Sequence, residues 1–90
     1  MDQLTAGAIT VYSTPGCQQC RMTYRALESA GVPFNVVDVT EHRAAYEYVT
    51  ADLGYSQAPI VVVDEHDHWT GFRPDHIARI AAARTGAGAK

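Results

Sequence analysis

Two cysteines, Cys17 and Cys20, carry the most reactive side chains of the 90-residue chain and are its only cysteines. They lie three positions apart in the segment STPGCQQC. Two thiols at this spacing can close a small disulfide, provide half of a zinc site, or cycle between dithiol and disulfide. The elements around the pair indicate which of these three chemistries the chain supports.

A helix is predicted from Gln18 to Ala30, because Cys20, Tyr24 and Leu27 recur at helical spacing. Free N–H groups and the positive dipole end of that helix favour an anion at Cys17, so a thiolate there is stabilised. Thiolates are the species that attack disulfides. We therefore expect Cys17 to attack a substrate disulfide, and the more buried Cys20 to release the product by attacking the Cys17 sulfur.

The other two uses of the motif are less favoured. A structural disulfide would close a tiny loop, which stabilises a fold much less than a long one. Zinc needs two further ligands; His66 and His68 are available, but they fall in a predicted hairpin turn, where we expect surface residues. A redox-inert or zinc-carrying binding module stays as an alternative to the working dithiol, for which no metal and no bound cofactor are expected.

The remaining elements alternate along the chain. Strands are predicted at 8–13, 33–39, 58–64 and 68–70, with a second helix capped by Thr40 and a last helix beginning at Pro74. The order β-α-β-α-β-β-α combines a right-handed βαβ unit with a hairpin and a helix. A C-x-x-C motif after the first strand is typical of the thioredoxin fold, an α/β fold whose four-stranded mixed sheet is flanked by three helices.

Length and composition limit the other possibilities. The length fits one domain, which we place at residues 1–84, followed by a flexible tail at residues 85–90. The net charge of −3 gives no basic field for nucleic acid. No apolar run approaches the ~18 residues of a membrane span, and the N-terminus lacks the basic region of a signal peptide. A cytoplasmic monomer is expected.

Pro59, in the segment QAPIVV, stands at the start of a predicted central strand, where it cannot donate to the ladder. Two interpretations stay open: an ordinary proline at a strand start, or a cis-proline loop facing the Cys pair. In the second interpretation, the backbone of Ala58 would be free to pair with an extended substrate segment.

The segment WTGFRPD, from Trp69 to Asp75, combines a bulky Phe72 with a proline that lacks an N–H. Arg73 and Asp75 can pair with each other or with neighbouring backbone, and so hold the loop in place. Trp69 and Phe72 can equally serve as core and helix-entry packing residues, and both roles are compatible.

Together, CQQC, QAPIVV and WTGFRPD resemble the NrdH-redoxin family of small glutaredoxin-like proteins, over roughly residues 8–84. The resemblance implies that Cys17 and Cys20 are the redox pair and that Pro59 is a cis-proline. It also implies electron donation to the large subunit of class Ib ribonucleotide reductase and re-reduction by thioredoxin reductase. The segment in which glutaredoxins carry their glutathione-binding residues is then matched by Trp69, Gly71, Phe72, Arg73 and Asp75.

Two positions depart from the family pattern. Gln18 stands where the family commonly has Met or Val, which makes the expected docking surface more polar. The STP segment before the motif lacks a basic residue that the family often carries, so the Cys17 thiolate loses one possible stabiliser. We expect Gln18, Gln19 and Ala58 to contact the protein partners. The alternative function is a glutaredoxin or mycoredoxin that is reduced by a low-molecular-weight thiol.

Overall fold

A computed structural model describes residues 9–89, with side chains over residues 9–83. Within this part of the chain, four strands and three α-helices follow one another as β1 Ile9–Ser13, α1 Gln18–Ser29, β2 Phe34–Asp38, α2 Arg43–Glu47, β3 Ile60–Asp64, β4 Asp67–Thr70 and α3 Pro74–Ala89. A π-helical turn, Tyr48–Asp52, continues α2. The predicted order β-α-β-α-β-β-α is confirmed, although the first strand's expected start at Ala8 lies outside the described residues.

The strands form one mixed sheet in the order β2-β1-β3-β4. β1 pairs in parallel with β2 and antiparallel with β3, so that Val11 lies opposite both Val36 and Val61. β3 and β4 form an antiparallel hairpin. The centre of the sheet is apolar, since Val11 and Val61 are fully buried. The predicted four-stranded mixed sheet is therefore confirmed.

Alternating side chains give the sheet two apolar faces. One face packs against α1 and α3 in a cluster of buried residues, and the other packs against α2 and its π-helical turn. The first cluster contains Ile9, Val11, Leu27, Val32, Val61, Trp69, Ile77 and Ile80. The second contains Val39, Val49 and Ile60. Both faces are covered, and α1 begins a few residues beyond the C-terminal end of the central strand β1.

The helix that carries the cysteines ends at a glycine, as predicted. Gly31 has φ +72, a left-handed conformation that glycine adopts without steric cost. Its N–H donates to Glu28 O at 3.1 Å, and the Val32 N–H donates to Leu27 O at 3.0 Å. These two bonds form a Schellman motif, which satisfies the last carbonyl groups of α1.

The prediction that Thr40 caps the second helix is wrong. The Asp38 carboxylate accepts both the N–H and the hydroxyl of Thr40, at 2.9 and 2.6 Å. Because this hydroxyl is committed to the turn after β2, α2 begins only at Arg43, behind His42, which makes no side-chain cap. The helical segment does end near Gly54, whose φ is +80.

The last helix begins at Pro74, as predicted. It continues to Ala89, past the domain boundary that we placed at residue 84. The boundary and the flexibility of the tail at residues 85–90 both stay predictions. The domain's residues 1–8 lie outside the described part of the chain.

Candidate active site

The two cysteines lie at the start of α1 and are joined as a disulfide, with their Cα atoms 5.2 Å apart. Cys17 is the N-cap residue, and its Sγ accepts a hydrogen bond from the Cys20 N–H at 3.1 Å. Cys20 is buried at 1% exposure, whereas Cys17 is partly exposed. The accessible sulfur therefore belongs to Cys17. Its role as the attacking residue stays a prediction that this arrangement supports.

The peptide bond between Ala58 and Pro59 is cis, as the second interpretation of this proline expected. Pro59 is buried, and its carbonyl accepts the Gly71 N–H at 2.8 Å. Thr70 strengthens this contact, because its hydroxyl bonds to Gln57 O at 2.6 Å and also reaches Pro59 O at 3.3 Å. Within the described residues, the backbone N–H and C=O of Ala58 have no hydrogen-bond partner. They can therefore pair with an added strand.

The loop between β4 and α3, residues 71–73, is held against the cysteine helix by Gln19. The Gln19 Oε1 atom accepts the Phe72 N–H at 3.1 Å, across 53 positions of sequence. Gly71, with φ +88, lets the loop pass close to this side chain. Gln19 was expected to contact a partner, but its side-chain amide oxygen, Oε1, is bound within the chain. The residue types carry no signal for this contact, which only the tertiary fold creates.

Arg73 and Asp75 pair with each other, as one of the sequence expectations held. The Arg73 Nε donates to Asp75 Oδ1 at 3.2 Å, and Nη2 donates to Oδ2 at 2.9 Å. These hydrogen bonds are the main reason why the pKa of Asp75 lies below its ordinary value, and the His76 N–H contributes further. Both charged groups are exposed. The Asp75 carboxylate lies in the first turn of α3, beside the positive end of the helix dipole.

Trp69 is a core residue with 4% of its surface exposed, so the expected packing role is confirmed. Its ring stacks on His76 with centroids 4.7 Å apart, and the Arg79 guanidinium lies 6.0 Å from its centroid. Arg79 in turn makes a bidentate pair with Asp67. Phe72 packs at the edge of the same core cluster. A direct role of either aromatic side chain in partner binding stays a prediction.

The histidines that could have bound zinc have other surroundings. His68 lies in β4, as the strand predicted at 68–70 expected, and its Nδ1 lies 2.9 Å from the hydroxyl of Tyr55. Among residues 9–83, no group of three or more metal-binding side chains comes together.

No described helix combines the length and the apolar character that a membrane crossing requires.

A small depression adjoins Ala58 on the face of the sheet that packs against α2. It has a volume of ≈ 70 Å³, and its lining includes Thr14, Val39, Tyr46 and Ala58. Tyr46 is more than half exposed. The sequence analysis did not predict this feature, because the lining residues come from four separate segments.

Gln18 is exposed and makes no side-chain hydrogen bond within the described residues.

The fold and the placement of the dithiol define a thiol–disulfide oxidoreductase of thioredoxin type. Known proteins agree with this class. The glutaredoxin family model matches residues 9–69. The Gene 56 protein of Mycobacterium phage L5 is 42% identical over 69 residues, covering 77% of this chain and 67% of the phage protein. The glutaredoxin-like protein NrdH of Escherichia coli K12 is 39% identical over 75 residues, covering 83% of this chain and 90% of that protein.

A solved structure gives the same answer. The NrdH-redoxin of Escherichia coli, a glutaredoxin-like protein with a thioredoxin-like activity profile, superposes with a TM-score of 0.74 at 39% identity. The match covers 80% of this chain and 92% of that one. The chain belongs to the glutaredoxin family, and within it to the NrdH-redoxins, as the sequence motifs predicted.

Proposed function

We propose that the protein carries electrons to class Ib ribonucleotide reductase and is re-reduced by thioredoxin reductase. It acts in the cytoplasm as a monomer and needs no bound cofactor. The observation that carries the proposal is the hydrogen bonding of the loop between β4 and α3. Three groups there that could bind the carboxylate of a small thiol, the N–H groups of Gly71 and Phe72 and the guanidinium of Arg73, are already bound within the chain.

The transfer uses the two cysteines in sequence. The Cys17 thiolate attacks one sulfur of the client disulfide, so that the client's S–S bond breaks, one client sulfur leaves as a thiolate that takes up a proton from water, and a mixed disulfide forms. Cys20 then loses its proton and attacks the Cys17 Sγ, which releases the second client thiol. Two electrons pass to the client, and the protein ends as the disulfide described above. Two electrons from the reductase restore the dithiol.

The preference for a protein reductant follows from the donors of the β4–α3 loop. Gly71 and Phe72 donate their N–H groups to acceptors within the chain, and Pro74 has no N–H. The Asp75 carboxylate lies on the first turn of α3 and binds Arg73. A small thiol with a carboxylate would have to displace these contacts and would meet the negative charge of Asp75. Such binding is unfavourable, because each displaced hydrogen bond leaves a polar group unpaired.

A protein client meets no such obstacle. The free backbone groups of Ala58 allow an extended client segment to add as a short strand. The depression lined by Tyr46 and Ala58 can receive a side chain of that segment. Gln18, exposed beside Cys17, is placed to contact the client as well.

Two parallel assays of NADPH consumption with a protein disulfide test the proposal. One contains thioredoxin reductase; the other contains glutathione or mycothiol with its own reductase. We expect turnover with thioredoxin reductase only, and reduction of class Ib ribonucleotide reductase in the same mixture. Turnover with the small thiol only would replace the proposal by a glutaredoxin or mycoredoxin function. Inactivity in both assays, with two titratable thiols or bound zinc, would indicate a binding module.

A further inference from the structure

The active site is built from two parts of the chain that are far apart in sequence. One part is the start of α1, which carries Cys17. The other is the segment 57–59, which offers the free backbone of Ala58 to a client. A protein disulfide engages both parts, since its sulfur must reach Cys17 while its backbone pairs with Ala58. The spacing of the two parts therefore affects protein clients, whereas a small disulfide needs only the sulfur of Cys17.

The β4–α3 loop is firmly attached to the second part. The Gly71 N–H donates to Pro59 O at 2.8 Å, and the Thr70 hydroxyl donates to Gln57 O at 2.6 Å. These bonds make residues 70–71 and 57–59 one hydrogen-bonded unit. Any contact that fixes this loop also fixes the backbone that receives the client.

Besides the packing of Leu27 and Phe72 in the same core cluster, a single side-chain hydrogen bond joins this unit to the cysteine helix. The Gln19 Oε1 accepts the Phe72 N–H at 3.1 Å, and within residues 9–83 no other hydrogen bond connects α1 with the loop. The backbone carbonyl oxygen of Gln19 is also held in place, because it accepts a hydrogen bond from the buried Thr23 hydroxyl at 2.9 Å. Gln19 therefore connects a well-anchored turn of the redox helix to the client-binding backbone.

We propose that Gln19 is a positioning residue for protein disulfides, because it sets the position of Ala58 relative to Cys17. The inference rests on the proposed function, because it assumes that a client pairs with Ala58. It adds the residue that determines how well a protein client, as opposed to a small disulfide, uses the dithiol. Gln19 touches no reacting atom in this role and acts through Phe72 and Gly71.

Three variants separate this role from a general effect on folding. Gln19→Leu removes the acceptor at similar size, whereas Gln19→Glu keeps an oxygen that can accept the Phe72 N–H. Gln18→Leu is the matched control for the hydrogen-exchange measurement only, since this neighbouring glutamine is exposed and makes no such bond but is itself expected to contact the client. Amide hydrogen exchange at Phe72 should accelerate in Gln19→Leu, and stay slow in Gln19→Glu and in Gln18→Leu.

The functional readout compares a protein disulfide with a small one. Insulin reduction is followed with dithiothreitol as the recycling reductant, and the reaction with dithiobis(nitrobenzoate) is followed in a single turnover of protein that was reduced beforehand. Neither ribonucleotide reductase nor thioredoxin reductase is then needed. The loss of one hydrogen bond should raise the KM for insulin by about five-fold in Gln19→Leu. The kcat for insulin and the rate with the small disulfide should match the parent, and Gln19→Glu should restore the KM.

Several results would overturn the inference. An unchanged KM in Gln19→Leu would mean that the tether does not position the client. A parallel loss of the rate with dithiobis(nitrobenzoate) would mean that Gln19 acts on Cys17 itself, and a Gln19→Glu variant that behaves like Gln19→Leu would mean that the acceptor is irrelevant. Failure of the parent protein to reduce insulin would instead count against the proposed function. The two failures are therefore distinguishable.

Discussion

Replacing Gly71 by alanine tests whether the backbone geometry of the β4–α3 loop is understood. Gly71 has φ +88, and a Cβ built there would meet only the Gln19 Oε1, at an ordinary contact distance of 3.6 Å. The cost of Gly71→Ala should therefore come from the backbone and not from a clash. Holding an L-residue in the left-handed region costs about 1–2 kcal/mol.

This cost can be converted into a thermal midpoint. In a domain of this size about 1 kcal/mol corresponds to roughly 4–8 °C, so Gly71→Ala should lower the midpoint by about 4–16 °C. The measurement is thermal unfolding of the oxidised protein, followed by far-UV circular dichroism. Gly31→Ala is the matched control, because Gly31 has φ +72, lies outside the site and has nothing within 4 Å of its Cβ position.

The two variants should lose similar stability, since the same backbone strain acts in both. A much larger loss in Gly71→Ala would refute the reasoning, because it would show that the loop cannot accommodate the Cβ beside Gln19. No loss in either variant would show that the left-handed conformation is not required. In Gly71→Ala the N–H still donates to Pro59, so the KM for insulin should stay close to that of the parent.

Four further predictions concern the redox pair and the ion pair of α3. Cys17→Ser should abolish disulfide reduction, since the attacking thiolate is lost; substantial residual turnover with insulin would contradict this assignment. Cys20→Ser should accumulate a mixed disulfide with the client on non-reducing gels, and parent-like activity would indicate a monothiol mechanism. Arg73→Ala should lower the thermal midpoint, because both hydrogen bonds to Asp75 disappear; an unchanged midpoint would favour a partner-contact role. Because Arg73 lowers the pKa of Asp75 in the folded state, the pair's contribution is complete above about pH 4 and is lost as the pH falls through the lowered value. The midpoints of the parent and of Arg73→Ala should therefore converge in acid, as unfolding curves at a series of pH values will check.

Much of the fold could be predicted because local patterns and global packing agree. The helical spacing of Cys20 and Leu27, the terminating Gly31 and the apolar run of β3 each have one structural solution that buries their apolar side chains. Pro74 marks the start of the last helix for the same local reason. The start of α2 was missed because Thr40 has two possible hydrogen-bond partners of similar quality. The carboxylate of Asp38, two positions away, competes with the helix for its hydroxyl.

The site was predictable only where chemistry depends on residue type. Two cysteines at the start of a helix, a proline before a strand, and an arginine two positions from an aspartate all suggest their contacts directly. The Gln19–Phe72 bond and the Thr70–Gln57 bond do not, because they join segments that are distant in sequence through ordinary polar groups. Such contacts depend on how α1 and the hairpin pack against each other, which no short motif encodes.

The central position of β1 has a consequence for the newly made chain. Its partner strands β2 and β3 end at residues 38 and 64, so one edge of β1 has no partner until the second of these has been synthesised. At ~5–20 residues per second, this delay lasts about 3–10 s. During that time an unpaired strand edge and two thiols are exposed on the nascent chain. The edge can pair with a strand of another chain, and the thiols can form non-native disulfides. A chain that stops at the end of β4 would carry the dithiol without residues 71–73, the loop that organises its surroundings, so the last part of the chain to be made completes the active site.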